Sequence, residues 1–108
     1  MQNAPETTFI YNVTIKADKK IADEWLKWLR EIHIPDIMNT NCFDSYRLVK
    51  LLEVDDSEGP TYAVQYHARS KADYNRYVQL YSNDLSQKAS EKWGEQIIAF
   101  RSLMEIVQ

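Results

Sequence analysis

Glycine is almost missing from this chain: 108 residues contain two, Gly59 and Gly94, together with three prolines. Loops that cradle phosphates need clustered glycines, because the backbone itself must approach the ligand. Neither glycine has a partner at such a spacing, so a nucleotide-binding loop is excluded. The same scarcity keeps irregular segments short. Cys42 is the sole cysteine, which rules out an intrachain disulfide. With His33 and His67 far apart, no four-ligand zinc pattern exists either. No stretch approaches the roughly 18 consecutive apolar residues of a membrane-spanning helix. The amino terminus shows no basic start followed by an apolar run, so no signal peptide is expected. A surplus of positive charge is also lacking: 13 Lys and Arg face 16 Asp and Glu, for a net charge of −3. Nucleic acid and anionic membranes are bound through basic faces, so neither is an expected partner. These absences describe a soluble, cytoplasmic protein with no metal and no cofactor.

What is present reads as ordinary globular material, 44% hydrophobic, 12% aromatic and 27% charged. The length fits one domain. Residues 1–7 read as a flexible N-terminal arm before a single domain over residues 8–108. From Thr8 to Lys16 apolar residues alternate, Phe9, Tyr11, Val13 and Ile15 against Ile10, Asn12 and Thr14, which is the period of a strand. Asp18 sits where a helix N-cap belongs, and Ile21, Trp25, Trp28, Leu29 and Ile32 follow at helical spacing. Pro35 disfavours helical geometry at Ile34 and should end or kink that helix, with Ile37 and Met38 available for one more turn. A second strand is predicted over Cys42–Val54, a turn over Asp55–Pro60, and a third strand over Thr61–Arg69.

Ser70-Lys71-Ala72-Asp73 resembles a capping box. The helix after it carries Tyr74, Tyr77, Val78 and Tyr81, should break at Asn83, and resumes with Leu85, Ala89 and Trp93 until Gly94 ends it. Ile97–Val107 completes the pattern as a fourth strand. The order β-α-β-β-α-β predicts an α+β, ferredoxin-like fold, a four-stranded antiparallel sheet with its helices on one face.

Strand parity then assigns faces. The greasier set goes under the helices, including Tyr46, Leu48, Tyr62, Val64, Tyr66, Ile98, Phe100 and Met104. The other collects Ile10, Asn12, Thr14, Phe43, Arg47, Val49, Leu51, Ala63, Gln65, His67, Ala99, Arg101 and Leu103. That second mixture is too apolar for open water and too polar for a dry core, which marks an interaction surface. Pairing it with its own copy across a two-fold axis hides it, so a homodimer through the open sheet face is expected.

The stretches Phe9-Ile-Tyr-Asn-Val-Thr-Ile, Trp25 to Asp36 with its His33-Ile34-Pro35, and Tyr62-Ala-Val-Gln-Tyr resemble an uncharacterised bacterial family. That family falls within the dimeric α+β barrel superfamily, which also holds antibiotic-biosynthesis-type monooxygenases and muconolactone-isomerase-like enzymes. The resemblance implies small-molecule binding in a dimeric barrel, with a cofactor-independent monooxygenase- or isomerase-like reaction as its enzymatic form. Some cofactor-free members orient substrate with an asparagine on the first strand, which Asn12 matches. Haem-degrading members need an axial histidine on the helix after the third strand, and Ser70 to Gly94 contains none.

By parity Asn12, Arg47, Gln65, His67 and Arg101 share the open face. There they form the candidate ligand-binding set, His67 being the candidate proton carrier. Two arginines would favour an anionic ligand; the competing account is polar pairing across the dimer interface. His33 is the second candidate acid–base group. Its competing account is a cationic ring at a helix C-terminus, meeting the dipole favourably beside Asp36. The tryptophans and helical tyrosines read as core, Cys42 as a buried thiol, and the acids of residues 53–58 as a solvated turn. A non-catalytic structural or regulatory homodimer remains the alternative to a ligand-binding protein.

Overall fold

We describe residues 8–108 of the chain from a computed structural model; the arm read over residues 1–7 lies outside the described residues. Four strands, β1 (Phe9–Ala17), β2 (Ser45–Lys50), β3 (Thr61–Ala68) and β4 (Ile97–Glu105), form one sheet in the order β2-β3-β1-β4. Every neighbouring pair is antiparallel. Between β1 and β2 lie α1 (Ala22–Trp28), a π-helical turn (Leu29–His33) and α2 (Ile34–Met38); between β3 and β4 lie α3 (Lys71–Leu80) and α4 (Ser82–Trp93). This is the expected ferredoxin-like α+β architecture, and most of the helical stripes are buried as expected, except Ile32 and Val78, which are exposed. Trp25, Leu29 and Ile34 are each 1% exposed, and burying a side chain of that size contributes about 2–3 kcal/mol. No helix among the described residues is long and apolar enough to cross a membrane.

Local signals shift in three places. Asp18 does not cap α1; its carboxylate accepts the amide of Lys20 at 2.8 Å, forming a turn before the helix. The helix pair breaks at Tyr81, where φ is −127°, and not at Asn83, which α4 absorbs. The second strand is shorter than Cys42–Val54, because Asn41 and Glu53 take positive φ on either side of it. Ser70 caps α3 as expected, accepting the Asp73 amide at 3.1 Å. Ser70→Ala should cost about 1 kcal/mol in chemical denaturation, and an unchanged midpoint would show that the cap contributes nothing.

Gly59 (φ 148°) holds the β2–β3 loop against β1 so closely that any Cβ would strike the Ala17 carbonyl. The loop is tied there by Ala17 N–H to Pro60 O and Lys19 N–H to Glu58 O, at 3.0 and 2.9 Å.

Register fixes the two faces. Tyr11 pairs with Tyr66, Val13 with Val64 and Ile15 with Tyr62 on the helix side, as expected. β4 is reversed from expectation. Val13 faces Arg101, Ile15 faces Ala99 and Tyr11 faces Leu103, so Ala99, Arg101 and Leu103 lie toward the helices. Ile98, Phe100 and Met104 pair with Lys16, Thr14 and Ile10 on the open face. Both parities of β4 are apolar, so bulk was the only guide. Ala99 packs against the core cluster that includes Leu85 and Trp93 of α4. A one-residue slip of parity moves the whole set to the other face.

Phe43 is likewise buried, stacked 6.0 Å from Tyr11, because the chain bends ahead of β2 and parity cannot be counted through the bend. Leu51 lies beyond the end of β2. The corrected open face therefore carries large exposed apolar groups, Phe100 at 67% and Ile98 at 55%.

Candidate functional site

Proline explains the π-helical turn. Pro35 has no amide to donate, and its ring would collide with the carbonyl four residues earlier, that of Glu31. The helix survives by widening: the Ile34 amide bonds to Leu29 O, five residues back. Pro35 thus sits in the first turn of α2 and the helix continues to Met38, with a π-helical turn in place of the expected stop or kink. The extra residue lets both Leu29 and Ile34 face the core while His33 turns toward the sheet. Single π turns of this kind cluster at functional sites.

His33 meets a narrow crevice of about 30 Å³ between sheet and helices. Tyr11 of β1, Tyr66 of β3, Tyr77 of α3, Ser86 of α4 and Arg101 of β4 line it with His33, over a floor of Val13 and Val64. The Arg101 guanidinium donates to Ser86 Oγ at 3.3 Å, and its charge reaches the Tyr11 hydroxyl. Among the described residues the ion pairs are Arg69–Asp44 and Arg76–Asp73, and Arg101 belongs to neither. The tyrosines form one aromatic block, Tyr11 lying 5.6 Å from Tyr77 and 6.0 Å from Tyr66. Burial raises the pKa of all three, and Arg101 works against that rise at Tyr11 and Tyr77.

His33 is not a cation at a helix end. Its ring stacks on Trp28 at 4.7 Å with 20° between planes, and Trp28 meets Trp93 edge-on at 5.8 Å. Burial holds its pKa down at about 4; the Asp36 carboxylate pulls the other way, and the charges of Arg101 and Lys88 add smaller downward pushes. At neutral pH the imidazole is therefore uncharged.

The residues read from sequence as one cluster are split by the sheet. Asn12, Arg47, Gln65 and His67 do share the open face: Asn12 pairs with Gln65, Gln65 with Arg47, and His67 with Ile10 and Ser45. Asn12 Nδ2 donates to Thr14 Oγ1 at 3.0 Å within its own strand. Arg101 leaves that group for the opposite side, where it joins His33. Ser86, Tyr11 and Tyr77 were read as core or passed over. Ser86 carries no sequence signal of its own, since Ser82, Asn83 and Ser90, one turn away on the same helix, are polar too. Among the described residues no group of three or more His, Cys, Asp or Glu gathers as a metal site.

Sheet order, crossover helices and a crevice between the layers define a ferredoxin-like α+β protein. Within that class, the chain belongs to the family described as domain of unknown function DUF4286, whose model matches residues 8–107. No curated protein matches it in sequence. Among solved structures it is similar to a dimeric ferredoxin-like protein from an uncultured marine organism, with a TM-score of 0.72 at 7% identity, over 95% of this chain and 98% of that one. A protein of the ethyl tert-butyl ether D (EthD) family from Bacillus halodurans gives 0.62 at 8%, over 93% and 98%. The hydroxynitrile lyase of Passiflora edulis gives 0.57 at 15%, over 93% and 96%. At such identities the likeness is one of fold, and a single fold hosts many functions.

Proposed function

We propose that this protein is a homodimer, paired through the open sheet face, in which each subunit binds a small molecule in the helix–sheet crevice beside His33. One observation carries the reading: an arginine, an uncharged imidazole, a serine hydroxyl and a buried phenol, drawn from four different elements, converge on the same hollow. Core packing alone does not call for His33 and the tyrosine hydroxyls there, since polar groups cost free energy to bury and are retained where they are used; Arg101 reaches the hollow from the exposed rim of β4. The π turn that presents His33 supports the same site.

Binding is favoured over catalysis by the state of His33. An efficient general base has a pKa near the working pH, whereas His33 is held at about 4. Each unit of lost basicity weakens proton abstraction, so in the free site the ring is a hydrogen-bonding partner first. A monooxygenase- or isomerase-like reaction would need the ligand itself to lift that pKa. The open face has a different role in this reading. Asn12, Arg47, Gln65 and His67 supply polar pairing across the two-fold axis, around the apolar contact of Ile98, Phe100 and Met104. The dimeric ferredoxin-like protein similar to this chain supports that arrangement.

The test is a screen of small aromatic and carbonyl fragments by protein NMR, on wild type and on Ser86→Leu, which plugs the crevice. Fragments that bind should shift the signals of Tyr11, His33 and Tyr77 at millimolar concentration, and the plug should weaken them about tenfold or more. Shifts gathered instead at Asn12, Gln65 and His67 would move the site into the barrel between subunits and overturn the proposal.

A further inference from the structure

We propose that the crevice recognises the carboxylate end of a small organic acid, gripped by Arg101 with the Ser86 hydroxyl beside it, while the body of the molecule lies outside the crevice. The inference rests on the crevice being a ligand site and adds the class of ligand.

Charge is the first argument. The chain as a whole carries −3, yet Arg101 and Lys88 both bring positive charge to the ring, alongside the acid Asp36. Arg101 belongs to no ion pair among the described residues. Its planar fork suits two carboxylate oxygens at once. The bond it makes in the meantime, to Ser86 Oγ at 3.3 Å, is long; the usual N–H···O distance is about 2.9–3.0 Å. Exchanging that bond for a charged acceptor gains free energy.

Size is the second argument. A hollow of about 30 Å³ is small, little beyond the roughly 10–15 Å³ that a single water requires. A carboxylate group fits such a space and an aromatic ring does not, so only the head of a ligand enters. The walls discriminate further. Tyr66 and Tyr77 are 1% and 2% exposed, with Leu29 and Ile37 alongside. A doubly charged phosphate would find a single guanidinium among apolar neighbours. An uncharged His33 can donate one N–H to a carboxylate without adding a charge that must be neutralised.

Benzoate and benzamide share a shape and differ in charge, which makes them the probes. Each is titrated into labelled dimeric protein at neutral pH, following the His33 ring and Ser86 amide signals. Benzoate should shift them saturably and bind at least about tenfold more tightly than benzamide. Arg101→Gln should abolish the preference, and Arg101→Lys, which keeps the charge without the fork, should restore part of it. Equal binding of the two probes, or a preference unchanged in Arg101→Gln, overturns the acid class while leaving the crevice a ligand site. If neither probe moves a crevice signal, and the neutral fragments also leave it untouched, the underlying site reading falls and this inference with it.

Discussion

Acidifying the protein from pH 7 to pH 4 should remove about 2 kcal/mol of its stability through one residue, and His33→Gln should abolish that share of the loss. In the unfolded chain a histidine titrates near 6.5, whereas in the folded protein His33 is held at about 4. Between those values the unfolded state binds the proton and the folded state does not. Stability therefore rises with pH across that window and falls as pH drops from about 6.5 toward 4. Above 6.5 both states are neutral and the contribution is fully present. A shift of this size corresponds to about 3 kcal/mol at 1.36 kcal/mol per unit. Because the ring is only partly buried, about 2 kcal/mol is the better figure.

The causes lie on every side of the ring. It is covered by Trp28 and faces Arg101 of β4 and Lys88 of α4, with Asp36 of α2 the only acid acting in its favour. Carboxylates also titrate toward pH 4, so the informative quantity is the difference between wild type and variant. In thermal melts at fixed protein concentration, wild type should lose about 10 °C more than His33→Gln between pH 7 and 4, at about 4–8 °C per kcal/mol. Parallel curves would mean that the ring is hydrated and the crevice open to bulk water. The variant's lower stability at pH 7, from its lost stacking on Trp28, does not disturb this comparison of slopes.

How far the sequence could lead is visible at three residues. Tyr11, on β1, lies in a strictly alternating strand with clearly unlike faces, and its side was legible. The same holds for β3, and with the helical spacings of Trp25 and Tyr77 this made the fold legible too. Arg101, on β4, was not legible: Ile97 to Glu105 carries apolar residues on both parities. Its face is fixed by the register β4 takes against β1, a tertiary fact that no single strand contains. His33 was legible as chemistry but not as environment. Pro35 announced a disturbed helix, and whether the chain stops or widens into a π turn depends on what the next turn can bury. Ile34 and Ile37, at 1% and 3% exposed, supply that reward. The site was missed as a unit because its members arrive from six elements, one of them, β4, with its parity misread.

The reassigned parity of β4 makes a second sharp prediction, since neighbouring residues of one strand should behave oppositely. Phe100→Asp should drive the dimer to monomer; Leu103→Asp should leave it a dimer. Phe100 is 67% exposed in the isolated subunit and lies on the open face opposite Thr14. Burying a phenylalanine contributes about 2–3 kcal/mol, and a two-fold interface counts it twice. Losing both, with two carboxylates placed in the seam, costs at least about 4 kcal/mol, or roughly a thousandfold in the dimer dissociation constant. Leu103 faces the helix side, paired with Tyr11, and should change that constant by less than about tenfold. Sedimentation velocity across a concentration series reads both variants, and circular dichroism confirms that each remains folded. The opposite ranking would return β4 to the parity that bulk alone suggested, carrying Arg101 away from His33. A wild type that stays monomeric at high micromolar concentration would instead leave Phe100 and Ile98 facing water, and the open face would need another partner of matching apolar character.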